Sequence, residues 1–181
     1  ARVAHVRFGL RQQMIMDIPV KHFSDFGKIC VDKKIHFYKA HNTLPNIVSS
    51  YPCAGIFTNE SWLREGVYKD VFDLFDYTPQ LKINICDCNQ SLVPFFTGHL
   101  NWISSGSSHF WYLYIRFPKT HIVFCWPHLI YTNDISLLSK QLEKIMTSSR
   151  EIYFNNEQTD GNSLYQSVQS AIPYMSKSIG E

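Results

Sequence analysis

The sequence predicts an α+β fold, a central, mostly antiparallel sheet covered by helices, on three observations. Two stretches rich in β-branched and aromatic residues, HFWYLYIRF (109–117) and THIVFCWPHLIY (120–131), are separated only by Pro118 and Lys119. They read as an antiparallel hairpin whose near-continuous apolar content implies burial on both faces. Apolar residues at helical spacing lie before and after that hairpin in the chain. No repeat, low-complexity tract or internal linker interrupts the sequence, so one domain over 1–181 is expected, with its core in 55–175.

Taken in order, residues 1–50 are hard to parse. ICVDKKIHFYKA (29–40) alternates weakly and reads as an edge strand, with His22, His36 and His41 scattered about it. TNESWLREGVYKDVFDLFDY (58–77) reads as a helix capped by Asn59 or Ser61, with Leu63, Val67, Val71, Leu74 and Phe75 on one stripe. QLKINICDCN (80–89) reads as a strand, and SLVPFFTGHLNWISSGSS (91–108) as loop. After the hairpin, NDISLLSKQLEKIMTSS (133–149) reads as a helix capped by Asn133, with Leu138, Leu142, Ile145 and Met146 inward. REIYF (150–154) reads as a short strand. A last helix over 163–172 faces Leu164, Val168, Ala171 and Ile172 inward, and Pro173 ends it.

Composition narrows the function classes. Charged residues make up 18% and apolar ones 45%, which is globular and not disordered. The net charge of +2 is spread along the chain, so no basic footprint for nucleic acid is evident. No apolar run reaches the ~18 residues of a membrane helix. The five cysteines lack framework spacing, which points to a reducing, intracellular setting, nuclear or cytoplasmic. Cys86 and Cys88 should share one face of a strand, and all five read as buried structural thiols; no metal or cofactor set is apparent. The start, ARVAHVRFGL, has neither an initiator Met nor a signal-peptide layout, so the chain reads as part of a longer protein.

The stretch NEQTDGNSLYQSV (156–168) raises the question of chemistry. A Gln, an acid and a Gly lead into a helix, which is how thiol proteases present a nucleophile to the helix dipole. Such enzymes also need a His base, an orienting acid or amide and an oxyanion donor. His109 is the candidate base, Gln158 the candidate oxyanion donor, and the 163–164 step the nucleophile position.

Three blocks together resemble the Ulp/SENP SUMO proteases and the related adenovirus-type proteases. SWLREGVYKDVFDLF (61–75) resembles the helix that opens Trp-Leu-Asn-Asp. SSHFWYLYIRFPKTHIVFCW (107–126) resembles the His-Trp strand and its return. QTDGNSLYQSV (158–168) resembles Gln-x-x-Gly-x-Asp-Cys-Gly-x-x-Val. The resemblance implies a papain-like, Ulp-type cysteine protease fold. It also implies that Trp62 and Phe110, with Trp111 beside them, flank the tunnel that takes the Gly-Gly tail of a ubiquitin-like modifier. WLRE departs from WLND next to that tunnel.

The departures fall on the catalytic positions. Aligning Gln158, Gly161 and Val168 puts Leu164 at the nucleophile, and slipping by one puts Ser163 there. Trp126 stands where the triad acid belongs. An imidazole without its orienting acid is a poor base. The expectation is therefore a pseudo-protease that binds a protein partner, SUMO or another ubiquitin-like modifier among the candidates. Two alternatives are an active protease carrying Ser in place of Cys at Ser163, and an unrelated α+β interaction module. TDGNSLYQSV also echoes the Asp-Gly-Asn-Cys-Leu block of ovarian-tumour deubiquitinases. In those enzymes a His follows far downstream, and none follows Ser163 here. The plain alternatives are a core or turn role for His109, a cap role for Asp160, and core packing for Trp62 and Phe110.

Overall fold

The computed structural model describes residues 5–8, 14–35, 37, 46–56, 60–120 and 122–172. Asn59, His36, His41 and Pro173, which carried expectations above, lie outside them. The chain divides into two compact units, Ala1–Pro45 and Asn46–Glu181, and each is described by itself. The 55–175 stretch expected as the core falls within the second.

In the first unit, β1 (Val6–Phe8) pairs antiparallel with β2 (Met14–Met16), and α1 spans Val20–Asp32. The strand expected from residue 29 onward is therefore a correction, because Ile29–Asp32 complete the last turn of α1. Lys34 adopts a left-handed φ of 54° and the Ile35 N–H donates to the Cys30 carbonyl, which closes the helix. Phe37 sets its ring edge-on to Phe23 and Phe26.

The second unit is built on a mixed six-stranded sheet. It comprises β3 (Ile47–Ser49), β4 (Ile83–Cys86), β5 (Leu100–Ser104), β6 (Phe110–Arg116), β7 (Val123–Cys125) and β8 (Ile130–Tyr131). β3, β4 and β5 run parallel, and β5 then pairs antiparallel with β6, which takes β7 and β8 antiparallel on its other edge. The α+β class and the antiparallel pairing of the two stretches match the sequence reading, but 120–131 is broken into the short β7 and β8, and β6 alternates buried with half-buried residues, so the expected two-residue turn and burial on both faces are corrected.

The 91–108 stretch is corrected. It was expected to be loop, yet it supplies β5, the fully buried strand between β4 and β6. A polar residue there survives because every group is placed. Asn101 Oδ1 accepts from Asn84 Nδ2 at 2.8 Å and from the Gly98 N–H, while its own amide donates to the Gly98 and Tyr114 carbonyls. Gly98 is required by this arrangement, since a Cβ there would lie 2.6 Å from the Leu100 carbonyl oxygen.

One face of the sheet carries the main core. Ile83, Ile85, Leu100, Trp102, Trp111, Leu113 and Ile115 bury on it beneath three helices. These are α2 (Glu65–Asp73), α3 (Ile135–Ser148) and α4 (Gly161–Ala171). Leu138, Leu142 and Met146 of α3 are fully buried, as their spacing predicts, each worth roughly 1.5–3 kcal/mol. The Trp102 indole donates to Ser139 Oγ at 3.1 Å, tying α3 to β5. Glu143 Oε2 accepts the Gln80 and Leu81 N–H groups just before β4. The opposite face holds a smaller cluster of Val48, Cys86, Val93 and Ile103, packed against by Phe96, Tyr112 and Tyr114. There the cover includes the loop after β4, so helices alone do not cover the sheet.

Helix boundaries differ from the sequence reading in instructive ways. α2 starts at Glu65 with Arg64 before it and no side-chain cap, so Ser61 does not cap it, and Leu63 packs from the preceding turn. Its core-facing Tyr68 was missed. Asn133 sits in a 3-10 turn, Thr132–Asp134, ahead of α3. REIYF is not a strand: Glu151–Asn155 form a π-helical turn that lays Tyr153 on Phe117. Ala171 is exposed, whereas Leu164, Val168 and Ile172 are buried as expected. Cys88 and Cys125 are exposed, and only Cys30, Cys53 and Cys86 are buried. The chain turns after Cys86, so Cys88 does not share its face.

Gly161 meets the ring of Phe124 so closely that a Cβ would overlap Phe124 Cγ and Cβ, the base of that side chain and not a movable tip. Gly161→Ala is expected to destabilise the protein by about 1–3 kcal/mol, as overpacking does, despite the better helix propensity of Ala. Denaturant unfolding measures it; an unchanged or raised midpoint would contradict this packing.

Candidate functional site

The residues expected at the site separate into two places along β6. At its start, His109 takes a left-handed φ of 63° and its carbonyl accepts both the N–H and the Oγ1–H of Thr132. Thr132 Oγ1 in turn accepts the Trp111 indole N–H at 2.9 Å. The turn before His109 is fixed by Ser105, whose Oγ is bonded at the Ser107 and Phe110 carbonyls and accepts the Ser107 N–H. Left-handed backbone is unfavourable for a residue with a Cβ and persists where neighbours over-determine it.

Trp62 completes this corner from the turn ahead of α2. Its indole donates to the Ser105 carbonyl at 3.1 Å, and its ring lies 5.6 Å from that of His109 and 5.4 Å, edge-on, from that of Trp111. The structure therefore brings together Trp62 and His109, which are far apart in sequence. Trp111 is corrected as a binding residue: it is fully buried with its N–H satisfied, and so belongs to the core. Phe110, one residue earlier on β6, projects to the opposite face and lies 5.5 Å from Tyr131, which also faces His109 at 6.2 Å. The accessible aromatic groups of the corner are the half-buried Trp62, His109 and Phe110 with the exposed Tyr131.

The start of α4 lies elsewhere. Gly161 rests on Phe124, which is the partner of Ile115 in the β6–β7 ladder. Tyr165 packs edge-on to Trp126 at 4.8 Å, and the Trp126 N–H bonds the Leu113 carbonyl. From His109 to Leu113 is about 13 Å along the strand, and to Ile115 about 20 Å, at ~3.3 Å per residue. The candidate base His109 and the 163–164 step are therefore not brought together at one end of β6. Leu164 is buried in the main core. Ser163 is exposed with its Oγ donating to the Asp160 carbonyl, a first-turn helix bond.

The remaining positions have structural duties. Asp160 caps α4 by accepting the Asn162 N–H at 3.0 Å. Gln158 is exposed in the preceding turn, where its N–H bonds Asn156 Oδ1. Trp126 is buried against α4 and offers no carboxylate. A small polar chain was missed by the sequence reading: Gln169 donates to the Tyr165 hydroxyl, which lies 2.7 Å from His128 Nε2. Its only sequence signal was the i, i+4 spacing of Tyr165 and Gln169 on α4.

No protein-family model matches the chain, and no curated protein matches it either.

Removing the hydroxyl that joins the two halves of the corner tests its internal wiring. Thr132→Val leaves the Trp111 N–H buried and unpaired, and is expected to cost about 1–3 kcal/mol in urea unfolding. A change below a few tenths would show that the indole finds another partner.

Proposed function

We propose that this chain is a non-catalytic protein-interaction domain, a pseudo-protease of the Ulp/SENP type whose binding surface is the corner formed by Trp62, His109, Phe110 and Tyr131. The observation that carries the reading is the approach of the Trp62 and His109 rings, the aromatic and the imidazole contributed by two of the three resembling blocks. A rigid, half-buried aromatic corner gives contact area at low entropic cost, a common property of binding hot spots.

Catalysis is disfavoured by chemistry and by position together. The candidate nucleophile positions hold Ser163 and Leu164, the acid position holds Trp126, and the helix start sits about 13–20 Å along β6 from His109. A base must come within hydrogen-bond reach of the proton it removes. That displaced helix start also departs from the arrangement the resembling family uses, so the support for descent rests on the first two blocks. The partner class favoured is a ubiquitin-like modifier such as SUMO, whose narrow tail would lie against the Trp62 ring.

Titration with SUMO, ubiquitin and NEDD8, each ending in its free Gly-Gly tail, is expected to change tryptophan emission saturably for one of them. Trp62→Ala should weaken that binding at least tenfold while leaving the far-UV circular dichroism unchanged. Absence of binding by all three, with the protein folded, would remove the modifier reading.

A further inference from the structure

The first unit leaves one face of its helix uncovered. Among its described residues Cys30 is the one buried apolar side chain, and a short hairpin with a single helix is too small to hide much more. Val20, at the start of α1, is 92% exposed, and Val31, in its last turn, is 77% exposed. At about 3.6 residues per turn, Val20, Ser24 and Val31 fall within ~40° of one another around the helix. Ile18, Val20, Phe23 and Ser24 line a mostly apolar groove of about 600 Å³ at the amino-terminal end of that face. Val31 stands on the same face about 16 Å further along, at ~1.5 Å per residue.

A groove and an exposed apolar side chain on one face of one helix are self-complementary. Two copies of α1 packed antiparallel about a two-fold axis would each seat Val31 in the groove of the other. The charges on the adjoining flank fit the same register. With Val31 of the second copy placed between Val20 and Ser24, Asp32 of that copy comes opposite Lys21, and its Lys28 opposite Asp25. The two-fold axis repeats both pairs. Within one chain none of these four side chains makes an ion pair among the described residues, although Lys21–Asp25 and Lys28–Asp32 have the i, i+4 spacing that allows one.

We propose that α1 is a self-association surface, through which two copies of this chain pair antiparallel with Val31 of each in the groove beside Val20 of the other. A second copy is favoured over an unrelated partner on complementarity. One helix supplies both halves of the apolar contact and both signs of the charge pattern, and a single register satisfies all of them. The contact between two helices this short falls below the ~1,200 Å² of stable complexes, so the dimer is weak and concentration-dependent.

Sedimentation velocity of the whole chain over a range of concentrations tests this. A reversible monomer–dimer equilibrium is expected, and salt should weaken it because the ion pairs are exposed. Val31→Lys sets an ammonium into the apolar groove and should raise the dimer dissociation constant at least tenfold, with the far-UV circular dichroism unchanged. The charge pattern has its own test by reversal. Lys21→Glu should weaken the dimer, and adding Asp32→Lys should restore it. These two positions are too far apart to meet within one helix, and the double change leaves like charges at both i, i+4 pairs, so recovery requires pairing between copies. If Val31→Lys unfolds, the reversal decides alone. A chain that stays monomeric at every concentration, a dimer indifferent to a folded Val31→Lys, or a reversal without rescue would each overturn the proposal.

Discussion

The sheet depends on one buried amide pair. Asn84 and Asn101 are partners across β4 and β5, both fully buried, and their hydrogen bond is the only polar link between side chains of those two strands among the described contacts. A strand has a side-chain period of two, so a one-residue slip would turn its core residues to the wrong face. Ile-rich β4 has little else to oppose such a slip. The amides oppose it, because Asn101 also holds the Gly98 and Tyr114 backbones and is satisfied only in this register. Register at the centre then sets where β6 begins, and so where His109 and Trp111 stand.

What the sequence disclosed follows from what burial does to local patterns. The hairpin, α3 and the inward face of α4 were legible because apolar spacing alone specifies them. β5 was not, since HLNWIS carries Asn and Ser at fully buried positions and follows a Gly. Its stability comes from partners that no local window contains. The π-helical turn at Glu151–Asn155 failed for the opposite reason: EIYF has strand-like composition, but Tyr153 finds its place on Phe117, just past the end of β6 and distant in the chain. In the first unit α1 escaped the sequence reading although Val20, Phe23, Phe26 and Cys30 recur at helical spacing.

At the site, sequence pattern identified residue types better than it identified their neighbours. Trp62 and His109 converge, which could be anticipated from two separate blocks. The third block was read as helix start, and it is one, with Asp160 as its cap. Its placement on the sheet was invisible, since that follows from Gly161 accommodating the Phe124 ring. Likewise Trp111 and Phe110 are consecutive and so must face opposite sides of a strand. That separates a core tryptophan from an accessible phenylalanine.

The mixed topology also bears on the order in which the sheet assembles. β5, β6 and β7 follow one another through short turns, so their antiparallel ladders close over small loops and carry a low entropic toll. The β3–β4 pairing joins strands separated by the whole of α2 and must wait for a much longer loop to close. The meander that presents His109 is thus the natural nucleus, and β3 the last strand to dock. During synthesis the chain emerges in the reverse sense, β3 first. Its Ile47–Ser49 edge would remain without its parallel neighbour until β4 and its scaffold have left the ribosome.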